Sequence, residues 1–104
     1  MKKELEFFYL CRLYNSPFVK KILGNYVGGT YTDFERVCGV NPKNKPFRIW
    51  IKNLGILKVI PTSDKYERYI IIEKTLLNII SKHELYQKDV RKPAYAEYEG
   101  ILRH

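Results

Sequence analysis

The chain has 104 residues and a mass of 12.4 kDa, with 45% hydrophobic residues, 14% aromatic residues and a formal charge of +8. That is enough for one folded domain with its own core, too little for a second globular unit, and too apolar for a disordered chain. No apolar run approaches the roughly 18 residues a membrane span needs, and Met1-Lys2-Lys3 leads into Glu4 and Glu6 rather than a signal-peptide core, so a soluble, cytoplasmic protein is expected.

Residues 3 to 14 carry Leu5, Phe7, Phe8, Tyr9, Leu10, Cys11, Leu13 and Tyr14, which cover almost the whole circumference of a helix. Such a helix asks for burial on two sides. Ser16-Pro17 has the chemistry of a helix start, followed by Phe18, Ile22 and Tyr26 one turn apart, with Gly28-Gly29 as its end. Thr30-Tyr31 reads as extended, and Thr32-Asp33-Phe34-Glu35 as a capping box that opens a brief helix, with Phe34, Val37 and Cys38 inward and Gly39 as its stop.

After a turn over Val40 to Asn44, the stretch 45–54 places Phe47, Trp50, Ile51 and Leu54 on one apolar stripe and Lys45, Arg48, Ile49 and Lys52 on the other face. Pro46 cannot lie deep in a helix, which puts the start near Asn44 or Lys45 and makes the preceding turn long. Ile56 to Ile60 and Tyr69 to Ile72 read as two strands of a hairpin with a polar tip. A helix is expected from about residue 74 to 88, with Leu76, Ile79, Ile80, His83 and Gln87 on one face, ended by Pro93, and residues 93–104 form a tail. The fold class is therefore α+β, mainly α, in a single domain.

Charge is unevenly placed. Residues 1 to 60 hold eleven Lys/Arg against four Asp/Glu, whereas residues 61 to 104 hold eight against seven. From Arg36 to Ser63 there is no acid at all, yet Arg36, Lys43, Lys45, Arg48, Lys52 and Lys58 fall there. A polyanion is the partner such a stretch suits.

No Gly-x-x-x-x-Gly-Lys, His-Glu-x-x-His or Gly-x-Ser-x-Gly motif is present, and the Glu4/Glu6 and Asp33/Glu35 pairs point apart on a helix, so no catalytic residue is assigned. Cys11 and Cys38 form no Cys-x-x-Cys or Cys/His cluster, which leaves no metal site and no evident cofactor. Buried free thiols are expected. A disulfide is permitted in a hyperthermophile, at which a single Gln among abundant Lys, Ile, Glu and Tyr hints.

The order helix, short strand, helix, turn, helix, hairpin, helix resembles a winged helix-turn-helix domain over residues 17 to 80. The residues that carry the resemblance are Thr30-Tyr31-Thr32-Asp33-Phe34, the Gly39-Val40 turn, Asn53-Leu54-Gly55-Ile56-Leu57, and the Tyr69 strand feeding Thr75 and the last helix. Many archaeal and bacterial transcription regulators share the pattern, and the resemblance implies an archaeal-type regulator of cellular, plasmid or viral origin. It implies sequence-specific binding of double-stranded DNA, with residues 45–54 as recognition helix and 61–67 as wing. Arg48 would read guanine and Asn44 adenine; Lys43, Lys45 and Lys52 would hold phosphates; Ile49 would meet a thymine methyl; Lys65 and Arg68 would reach an adjacent minor groove.

Two other expectations follow. Helices 3–14 and 74–88 are the surfaces on which a homodimer would form, presenting two recognition helices to an inverted repeat. The alternative function is a winged-helix protein-interaction module or a non-specific nucleic-acid binder.

Overall fold

A computed structural model describes residues 1–20, 27–61 and 65–88. Its elements are α1 (Lys3–Tyr14), β1 (Val19–Lys20), α2 (Tyr31–Cys38), α3 (Lys45–Asn53), β2 (Leu57–Ile60), β3 (Arg68–Ile72), α4 (Glu73–Lys82) and α5 (Glu84–Lys88). The architecture is α+β and mainly helical, with the sheet in the order β1-β3-β2.

Helix α1 keeps the expected bounds and buries Phe7, Leu10, Cys11 and Leu13 against α2, α4 and α5. Its end is set by side chains: Asn15 donates to the Cys11 carbonyl at 2.9 Å and Ser16 to that of Leu13 at 2.7 Å. Ser16 is therefore spent closing α1, and no helix begins at Pro17. Residues 15–18 turn instead, and Val19 and Lys20 pair in parallel with Ile71 and Ile72. The expected partners Ile22 and Tyr26 lie outside the described residues.

The chain returns to β3 at Gly29, whose amide and carbonyl bond the carbonyl and amide of Tyr69 at 2.9 and 2.8 Å. A Cβ at Gly29 would stand 2.8 Å from the Phe18 ring, so only glycine fits this crossing. Helix α2 then starts two residues earlier than expected. Thr30 is its cap, accepting from the Asp33 amide while the Asp33 carboxylate accepts from Thr30, and Tyr31 is already helical. Gly39, left-handed at φ 73°, ends the helix as its sequence requires.

The hairpin pairs Leu57 with Ile71, Lys58 with Ile70, Val59 with Tyr69 and Ile60 with Arg68. Phe34 and Cys38 of α2, Phe47 and Ile51 of α3, Ile56, Ile71, and Leu76 and Ile80 of α4 close one core with the inner face of α1. Helices α1 and α4 thus pack on each other within the protomer.

The last helix is not continuous to residue 88. His83 is extended at ψ 140°, and its Nδ1 accepts the amide hydrogen of Leu85 at 3.1 Å, so the side chain caps a second short helix. Nδ1 as acceptor assigns the proton to Nε2, which donates to Glu6 Oε1 at 3.1 Å. The other Glu6 oxygen accepts from Trp50 Nε1 at 3.3 Å. Trp50 accordingly packs on α1, its ring 5.8 Å from that of Tyr9, rather than deep against the sheet. The tail 93–104 lies outside the described residues.

Candidate nucleic-acid interface

The turn from α2 to α3 is organised by one buried carboxylate. Glu35 lies beside Cys38 at the edge of the inner face of α2 and is 1% exposed. It accepts from the Lys43 amide at 3.1 Å, the Asn44 amide at 2.8 Å, and Arg48 Nε and Nη2 at 2.9 Å each. A buried carboxylate is tolerated only when its lone pairs are taken in this way. The Arg48 bond, aided by the two amides, holds the Glu35 carboxyl below its ordinary value, outweighing burial, which pushes the other way.

The clamp fixes how α3 begins. Lys43 takes a left-handed backbone at φ 59°, directing its amide to Glu35. Asn44 is the N-cap, its Oδ1 accepting from the Phe47 amide at 2.9 Å, and Pro46 stands in the first turn, where its missing amide hydrogen costs nothing. Phe47 and Ile51 turn into the core. Lys45, Ile49 and Lys52, at i, i+4 and i+7, stay on the outer face, with Ile49 half exposed.

Of the residues expected to touch DNA, the fold brings together Lys43, Lys45, Ile49 and Lys52 on and just before the outer side of α3. Arg48 and Asn44 are differently employed. The guanidinium fork that would match guanine is closed on Glu35, with a further contact from Nη2 to Thr32 at 3.4 Å, and the Asn44 oxygen caps α3. Lys65 is exposed ahead of β3, its Nζ 5.9 Å from the Tyr66 ring centroid, and Arg68 is half-buried on β3 opposite Ile60.

The start of β3 and the turn into α3 adjoin. A cleft of about 450 Å³ lies between Thr30, Tyr31, Thr32, Lys43 and Arg48 on one side and Tyr66, Glu67 and Tyr69 on the other. Tyr69 donates to Glu67 at 2.7 Å, which keeps its phenol protonated well above the ordinary range.

No family model, no curated protein and no solved structure matches the chain. Among the described residues no cluster of His, Cys, Asp or Glu could hold a metal, and no helix is long and apolar enough to cross a membrane. Burial pushes both free thiols, Cys11 and Cys38, up to about 12.

Glu35, whose spacing from Thr32 matches a capping box, instead anchors the turn from α2 to α3. A signal was present: Glu35 falls on the same arc as Phe34 and Cys38, and a carboxylate on an apolar arc needs a cation.

Proposed function

We propose that this protein is a winged helix-turn-helix regulator that binds double-stranded DNA sequence-specifically, with α3 in the major groove and residues 61–67 on the adjacent backbone. One observation carries the reading: the outer face of α3 offers Lys45, Ile49 and Lys52 to solvent, while Glu35, the acid nearest in sequence, is buried and neutralised. The element order and the three-stranded sheet beside the turn support it.

On this reading Lys43, Lys45 and Lys52 neutralise phosphates, and Ile49, the apolar group among them, meets a thymine methyl. Lys65 and Arg68 serve the wing. Arg48 is a positioning residue that sets α3 against α2, and base reading falls to Ile49 and its neighbours. A docking module would not need one sign of charge across this face.

Fluorescence anisotropy of a labelled random duplex at two salt concentrations tests the proposal. Affinity that falls steeply with salt is expected, because each phosphate contact releases counterions. Absence of binding at low salt would overturn it in favour of a protein-docking role.

A further inference from the structure

Helix α1 carries a stripe that the other described residues leave open. Glu4, Leu5, Phe8 and Arg12 are exposed, with Met1 leading into the stripe. At about 100° per residue they span roughly a 100° arc, opposite the buried arc of Leu10 and Leu13. The apolar members are substantial: Met1 is 60%, Leu5 44% and Phe8 38% exposed.

The order of charges along this stripe says what fits it. Glu4 stands one turn before Phe8 and Arg12 one turn after. An antiparallel copy of the same helix, related by a twofold axis through Phe8, sets each Glu4 against the other copy's Arg12 and the two Phe8 rings against each other. Parallel pairing would set Glu4 against Glu4. Arg12 is already held at the end of the stripe, its Nε donating to the Val37 carbonyl at 3.0 Å and its guanidinium carbon 5.8 Å from the Phe8 ring centroid. Little side-chain freedom is left for it to lose on contact.

We infer that the exposed face of α1 is a homotypic docking surface, occupied by the antiparallel α1 of a second copy of this chain through Phe8–Phe8 and two Glu4–Arg12 contacts. This goes beyond DNA binding and does not depend on it. A helix of twelve residues is about 18 Å long, so the contact falls below the roughly 1,200 Å² of a stable interface and the association is reversible.

Sedimentation equilibrium of the full chain from about 10 µM to about 1 mM, a range suited to weak association, is the test. A monomer–dimer equilibrium is expected. Glu4→Arg and Arg12→Glu each place like charges at both contacts and are expected to weaken dimerisation at least about tenfold, a change of about 1.4 kcal/mol or more. Mixing the two variants is expected to restore it as a heterodimer, because the new arginine of one copy then faces the new glutamate of the other. A wild-type chain that stays at 12.4 kDa throughout overturns the inference, as do single variants that associate like wild type or a mixture no stronger than its parts. Should Arg12→Glu fail to fold for want of its Val37 contact, Glu4→Arg alone decides, by whether wild-type association persists.

Discussion

Glu35 and Arg48 are joined by two hydrogen bonds of 2.9 Å across the turn between α2 and α3, with the carboxylate almost wholly buried and the guanidinium one-third exposed. Thirteen residues separate them, and the same carboxylate also holds two amides of the turn between. Removing Arg48 leaves a charge in the core, whereas removing an outer lysine of α3 leaves nothing behind. Arg48→Ala is expected to cost about 2 to 3 kcal/mol, just below the usual range for a broken buried pair because the guanidinium edge meets water. Lys52→Ala should stay within about 0.5 kcal/mol. Urea denaturation near neutral pH measures both, and equal stability of the two variants would deny the clamp its role.

The clamp also sets an acid limb. The Glu35 carboxyl is held below its ordinary 4.5, so its contribution is fully present above that value and is lost as pH falls through the lower folded value. Thermal midpoints followed from about pH 6 to about pH 2 should fall for wild type and fall less steeply for Glu35→Gln, which has no proton to gain. Parallel curves would assign acid unfolding to other carboxylates.

Local chemistry revealed most elements, and non-local partners decided where it misled. Phe47, Ile51 and the Asn44–Pro46 start made α3 readable, as did Gly39 the end of α2. Two overlapping caps, Thr30–Asp33 and Thr32–Glu35, were available to α2, and the choice fell to Thr30 because Glu35 is claimed by Arg48. Ser16-Pro17 has helix-start chemistry, yet Val19 pairs with Ile71, far along the chain. The apolar period of α4 runs on past residue 83, so the cap made by His83 was invisible in it. In the candidate interface, charge and face were legible for Lys45, Ile49 and Lys52; Arg48 was not, since its partner lies on another helix.

On DNA, the outer lysines and Ile49 should behave differently. Lys45→Ala and Lys52→Ala are each expected to weaken every duplex alike and to lower the salt slope by about one. Ile49→Ser should leave the slope unchanged and lose preference at one position, an effect reproduced on the wild type by replacing a single thymine with uracil. A salt slope that falls for Ile49→Ser, or preference untouched by it, would remove Ile49 from base reading.

Cys11 and Cys38 are buried in the core, each thiol pushed up to about 12 by desolvation. Since the thiolate is the reactive form, neither should react with a disulfide reagent near pH 8 while the chain is folded, and both should react in denaturant. Prompt modification of either in the native protein would mean that α1 opens readily.

Trp50 is the single tryptophan, half-buried, donating to Glu6 and lying against Tyr9 and Phe47. It faces α1, so it ties α3 to the rest of the domain and is turned from the face of α3 proposed to meet DNA. Trp50→Ala is expected to cost about 2 to 3 kcal/mol, less than for a fully buried tryptophan. Trp50→Phe, which keeps the ring contacts and drops the Glu6 bond, should cost about 1 kcal/mol. Thermal melts of both variants, with anisotropy on duplex DNA well below the melting range, separate the roles. The expected pattern is a graded loss of stability with the salt slope of binding unchanged. Wild-type melting together with a lost phosphate contact would place Trp50 on the nucleic acid and reverse the orientation given to α3.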